Sequence, residues 1–458
     1  MKSNPDSQPV PLKIAYIGGG SRGWAHILIK DLLMYPGFTG EVRLYDIDKP
    51  MAKLNERYAS WMQSHPEGVS KWKYRAVDSL KTCLKGADFV FVSIQPGAIQ
   101  KMKVDLEEPA KYGIYHSVGD TVGPSGIIRS LRAIEDYRVI AEAITEHAPD
   151  AWTLSFSNPM TVCTRTLFET FPEIKAYGCC HEVFGTKRML RDVFTSMTDE
   201  ENVSLSEIDV NVLGVNHFTW IDKAKCRGAD LLEMLKEHMA KPGVVRKYTK
   251  KEVESHGNVF IDHDQVKFEL YRRFGILAAA GDRHLAEFVP WFLTDKDSCY
   301  RWGFMLTPYS YRLERYREAP KQFRKSMKSG KFPPLLTSGE EYLKHMIAIT
   351  GKNVLKTNVN LPNRGQVRGL SEGAVVETNA VFSKDSVVPV ASGKLPDNVN
   401  ILALKHVLNQ ESLVKSVFSN DKDLAFQAFL NDPLVTISID NAWKLFNTML
   451  KKTGFKFQ

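Results

Sequence analysis

Apolar positions in the first half of the chain alternate between two periods. "KIAYIGGGSRGWAHILIKDLLMYP" opens on a β-like run, passes through glycines, and continues with Trp24, Ile27, Leu28 and Leu32 at helical spacing. "EVRLYDID" gives a strand ending at Asp46, and "ADFVFVSIQPG" (Ala87 to Gly97) a buried strand ending in a turn. "GIIRSLRAIEDYRVIAEAITEH" (Gly126 to His147) predicts a long helix with Ile127, Leu131 and Ile134 on one face. "AWTLSFSNPM" adds a strand running into Asn158-Pro159, "IKAYGCC" one that stops at two cysteines, and "DVNVLGVNHFTWI" one that passes Asn216-His217. Strands alternating with helices predict an α/β domain built on a doubly wound parallel sheet. From about residue 225 the pattern is mixed and largely helical. The expected division is a polar tail over 1–11, a nucleotide-binding domain over 12–200, and a domain for substrate binding and oligomerisation over 201–458.

The first turn carries chemistry. Gly18, Gly20 and Gly23 form G-x-G-x-x-G between strand and helix: a tight turn, close backbone approach to a pyrophosphate, and tight helix–strand packing. Phosphates would meet the free N–H groups at the helix start, with Ser21 inside the turn. Asp46, at the next strand end, would bond the adenosine ribose of NAD and repel the extra phosphate of NADP. Gln95, beyond the following strand, is assigned to the cofactor as well. In such a sheet ligands bind outside the carboxyl ends of the strands, so Asp46, Asn158 and Cys180 are expected to point to one region.

Composition narrows the class. The 458 residues, 43% hydrophobic and 25% charged, exceed what one core holds, so two intimately packed lobes are expected. The net charge of +8 is scattered, and its densest cluster, "KQFRKSMKSGKF" (Lys321 to Phe332), has no base-stacking or groove-reading motif around it. It is expected to be a solvated surface, with no nucleic-acid partner. No apolar run approaches the ~18 residues of a membrane span, and no signal core is visible at the N-terminus, so a cytoplasmic location is expected. Six cysteines (Cys83, Cys163, Cys179, Cys180, Cys226 and Cys299) are too sparse for a disulfide scaffold, which leaves metal binding, catalysis or burial.

Cys180 and His217, each at a strand end, pair a soft thiolate with an imidazole, a combination suited to a divalent transition metal with open positions for water or substrate. Spacing alone leaves a plain core role open for both. Cys179, facing the other way by strand alternation, reads as a structural thiol.

The glycine turn, Asp46, "SNPM", "CCHEVFG", "GVNHFTW" and "PNRGQV" together resemble glycoside hydrolase family 4, over nearly the whole chain. "GIYHSVGDTVGPSGIIRSLRA", "GCCHEVFGT", "AAAGDRHLAEF", "VETNA" and "LAFQAFLNDPLV" resemble its bacterial α-galacturonidase branch. The resemblance implies a Rossmann-like domain with a lactate dehydrogenase-like architecture, bound NAD, a divalent metal (usually manganese), and a homodimer or homotetramer. It also implies hydrolysis by oxidation at sugar C3, loss of the C2 proton, elimination of the glycosidic oxygen, addition of water, and reduction at C3; family members using NAD stand apart from two-carboxylate hydrolysis. By the same resemblance Cys180 and His217 hold the metal, Asp282 in "GDRH" is the C2 base, and Asp120 in "VGDTVGP" is the general acid. Asn158, His181 and Glu182 meet the sugar, and Arg283 or His284 the carboxylate of a uronic acid glycoside. Read without it, Asp282 is equally a helix N-cap and Asp120 a turn residue. The rival readings are an α-galactosidase or α-glucuronidase of the same family, a plain NAD-dependent 2-hydroxy acid dehydrogenase, and a non-catalytic NAD-sensing module.

Overall fold

The computed structural model describes residues 8–457; residues 1–7 of the expected tail lie outside the described residues. The first strand, β1 (Val10–Ile17), begins two residues before the expected domain start. It is followed by α1 (Trp24–Leu33), β2 (Phe38–Tyr45), α2 (Lys49–Met62), β3 (Trp72–Val77) and β4 (Phe89–Val92). Then come the long helix α3 (Gly123–His147), β5 (Trp152–Ser155), β6 (Ala176–Gly178) and α4 (Glu182–Met197). The parallel strands lie in the order β3-β2-β1-β4-β5-β6, the order of a dinucleotide-binding sheet. Leu12, Ile14 and Tyr16 of β1 enter one core and Ala15 and Ile17 another. Both faces are therefore covered, which explains why these strands are apolar runs rather than alternating ones.

The stretch around Asn216-His217 departs from expectation. It is not a strand of that sheet: β7 (Asp209–Val215) and β8 (Phe218–Cys226) form an antiparallel hairpin in a second sheet, and Asn216 and His217 are its two-residue turn. His217 has φ of 64°, the left-handed conformation a tight hairpin turn demands. A continuous apolar run hid the turn, because no Asn-Gly pair marks it.

The second half continues with α5 (Gln265–Phe274), the short α6 (Asp282–Leu285) and α7 (Tyr309–Ser329). Its strands β9 (Leu355–Pro362), β10 (Val375–Ser383) and β11 (Ser386–Pro389) return to the first sheet, antiparallel, and extend it beyond β6. Helix α7 lies over the nucleotide-binding half. The lysines and the arginine of the basic stretch 321–332 are exposed, but the stretch is not wholly solvated: Phe323 stacks on His26 at 3.6 Å and Phe332 on Trp61 at 4.4 Å. Among the described residues no helix is long and apolar enough to cross a membrane.

Candidate active site

The glycine turn fits a dinucleotide. Gly18 has φ of 91°, and a Cβ there would stand 2.0 Å from Ser93 O. A Cβ on Gly20 would meet Asp46 Oδ2 at 2.8 Å, so both positions require glycine. Gly23 precedes α1 without a side-chain cap, leaving first-turn N–H groups for an anion. Asp46 accepts from Gly20 N and Asp48 N, each at 2.8 Å. Ser21 lies in the turn, and Gln95 is exposed on the loop beyond β4. Sequence reading missed Asn55, which is fully buried on α2 and donates to the carbonyls of Gly19 and Ser21, each at 2.8 Å. Its signal was an asparagine on the apolar face that also carries Met51, Leu54, Tyr58 and Met62.

A path of contacts leads from this turn to a cluster of potential ligands. Trp24, first in α1, lies 6.2 Å from the His181 ring; His181 Nε2 is 3.8 Å from Glu182 Oε1; Glu182 Oε1 is 3.8 Å from His284 Nε2; and His284 Nδ1 is 4.0 Å from Asp120 Oδ1. Ligand atoms of Asp120, His217 and His284 all fall within 4.8 Å of one another. The Thr121 hydroxyl donates to Asp120 Oδ1 at 2.7 Å and therefore accepts from His217 Nδ1 at 2.7 Å. That count puts the proton of His217 on Nδ1 and leaves the Nε2 lone pair for a cation. Burial, with His284 beside it, pushes His217 down to about 3, so the ring is neutral. Burial alone would raise the Asp120 carboxyl, but His284, His217 and Arg129 outweigh it and hold it well below the usual range. An ionised carboxylate, a neutral imidazole and His284 Nδ1, a buried nitrogen with no partner, suit a divalent transition metal. Asp120, expected as the general acid, and His284, expected as a substrate contact, thus join His217 as candidate metal ligands.

Cys180 is not one of the three. Its thiol is pushed well up by burial and then by Glu377 and Glu182, and Asn216, the neighbour of His217, is beside it. Cys179 faces elsewhere, its Sγ 3.9 Å from His345 Nδ1. Asn216 and Asn358 donate to Glu377 at 3.0 and 2.7 Å, so a buried carboxylate on β10 anchors the hairpin turn that bears His217. Asn158 donates to Asp120 Oδ2 at 3.2 Å, and its buried Oδ1 has no partner.

Glu182 accepts from Gly281 N at 2.8 Å. Burial alone would raise it; His284, His217 and His181 bring it down to about 2. His181 turns to Glu340 at 3.2 Å, which raises it, and its side chain is half exposed. Asp282 opens α6 and is fully buried. Its Oδ1 accepts from Lys267 N at 2.9 Å, capping α5, while Oδ2 has no partner. Burial, then Asp262 and Asp264, raise its carboxyl well above the usual range.

Two profiles of family 4 glycosyl hydrolases match the chain, the family itself over residues 13–196 and its C-terminal domain over 212–435. An alpha-galacturonidase of Thermoanaerobacterium saccharolyticum is 49% identical over 98% of this chain and 97% of its own. The crystal structure of the Bacillus subtilis protein lplD superposes with a TM-score of 0.90 at 44% identity, covering 96% of this chain and all of that one. The 6-phospho-beta glucosidase of Thermotoga maritima, solved with manganese, NAD+ and glucose-6-phosphate, shares the fold at a TM-score of 0.77 and 19% identity, over 96% of this chain and 97% of that one. The chain belongs to glycosyl hydrolase family 4.

Proposed function

We propose that the chain hydrolyses α-galacturonosides such as pectin-derived fragments, with NAD and manganese bound. The full-length identity to an alpha-galacturonidase supports the substrate. The observation that carries the chemistry is the path of contacts from the glycine turn through His181, Glu182 and His284 to Asp120, which links a nucleotide cradle to a cation cluster. When bound, NAD supplies a reversible hydride acceptor and the divalent ion a Lewis acid for neighbouring sugar oxygens.

The chain's own residues do the rest. Asp120, His217 and His284 hold the ion, with Cys180 as a further thiolate ligand. Asn158, its Oδ1 free, accepts from a sugar hydroxyl. Glu182 steers the sugar from the far side of His284. Asp282 takes the C2 proton at its Oδ2, an oxygen that meets no donor; burial raises its carboxyl, while the neighbouring Lys267 favours the ionised form in which it acts as a base. Assembly into two or four chains in the cytoplasm belongs to the same proposal and rests on the family resemblance. Hydrolysis of matched aryl α-galacturonides, α-galactosides and α-glucuronides with NAD, manganese and reductant tests it. Cleavage of the galacturonide without accumulation of NADH is expected. Accumulating NADH would return the reading to a dehydrogenase.

A further inference from the structure

Three arginines gather around the segment 117–120, and none is spent on a carboxylate. Arg312, on α7, donates to Val118 O at 2.6 Å. Arg283, on α6, donates to Thr307 Oγ1 and, at 3.4 Å, to Ser117 O. Arg129, on α3, donates through Nε to Asn158 O at 2.9 Å, and Asn158 in turn holds Asp120. Each guanidinium keeps a buried donor that meets no acceptor: Arg129 Nη1, Arg283 Nε and Arg312 Nε. Asp120 does not absorb them, since its Oδ1 accepts from Thr121 and its Oδ2 from Asn158. Among the described residues none of the three forms an ion pair.

Burying a guanidinium without an anion is costly. The same helix shows how this chain treats a buried arginine with a structural role, because Arg132, one turn after Arg129, binds Asp105 with two bonds at 2.6 and 3.1 Å. Arg129 is as deeply buried, 6% exposed, yet has no such partner. Asp120 offsets part of that cost through space, but the unpaired donors beside a sugar site point to a further anion carried by the ligand.

We infer that Arg129, Arg283 and Arg312 form the subsite for the carboxylate of a hexuronic acid, and that this subsite selects a uronate over the neutral sugar. The inference rests on the proposed galacturonide substrate and deepens it. Arg312 enters the site here for the first time; Arg129 and Arg283 act with it. A planar fork matches a carboxylate with two parallel bonds, which the single oxygen of a neutral hydroxymethyl group cannot return. Guanidinium donors left unmet by the neutral sugar then supply the discrimination.

The test is calorimetric binding of galacturonate and of galactose to the NAD- and manganese-loaded protein, wild type against Arg312→Gln and Arg312→Lys. Arg312 sits half-buried on a surface helix, so its variants do not depend on a core position. Arg312→Gln is expected to weaken galacturonate binding by about 10- to 100-fold, the worth of charged hydrogen bonds, with galactose binding changed by less than about threefold. Arg312→Lys, which keeps the charge without the fork, should fall between Gln and wild type. Equal losses for both sugars, or no loss for galacturonate, would overturn the subsite while the galacturonide reading stands. A wild-type protein that cleaves α-galactosides faster than α-galacturonides would overturn that reading and the subsite with it.

Discussion

The rings of His217 and His284 lie face over face, their centroids 3.7 Å apart and 26° from parallel. One comes from a hairpin turn and the other from a four-residue helix some seventy positions later, so only the tertiary fold brings them together. Two stacked imidazoles with Asp120 beside them form a ligand face. His284→Ala is therefore expected to weaken manganese binding by at least the roughly 10- to 100-fold that loss of a group merely supporting a ligand costs. Manganese titration followed by electron paramagnetic resonance measures this; an unchanged affinity would return His284 to a purely substrate-facing role.

The neighbouring cysteines should behave differently. Cys180 lies among Asn216, Glu182 and Glu377, whereas Cys179 faces His345. Cys180→Ser is expected to abolish turnover and lower metal affinity, and Cys179→Ser to do neither. Metal titration and activity of both variants check it. Wild-type affinity in Cys180→Ser would confine the ligands to Asp120, His217 and His284.

Glu287 gives a pH signature. It is fully buried, and its Oε1 accepts from Val118 N at 2.6 Å and Gly119 N at 2.8 Å. Burial raises its carboxyl from 4.5 to about 7. Below pH 4.5 folded and unfolded chains are both protonated there, and the group costs nothing. Between 4.5 and 7 the unfolded chain ionises first, so stability falls as pH rises, by about 3 kcal/mol in all, and levels off above 7. Glu287→Gln removes this slope. Denaturant unfolding should show the variant gaining on wild type from pH 4.5 to 7 and holding that gain above; a constant difference across the range would contradict it.

Much of this site was legible in the sequence because it is local. Gly18, Gly20 and Gly23 sit in one turn, and Asp46 ends the adjacent strand, so spacing alone aligns them. Asn158 and Cys180 follow strand ends whose apolar runs are plain. The hairpin around His217 was hidden because Val215 and Phe218 are as apolar as the strands they end. The partnership of Asp120 with His217 and His284 spans 164 residues of chain and depends on packing between the two halves. No motif in the sequence marks Arg129; only its burial without an ion-pair partner does.

The most direct measurement for a site that works at sugar C2 and C3 is turnover of an α-galacturonide in deuterated water. If Asp282 removes the C2 proton, product galacturonate will carry deuterium at C2, seen by NMR, because the abstracted proton exchanges before it is returned. Asp282→Asn should suppress that label while still binding NAD and manganese, since its Oδ1 can go on capping Lys267 N. Direct displacement at C1 by two carboxylates never breaks the C2–H bond. Hydrolysis that leaves C2 free of deuterium would contradict proton abstraction by this chain.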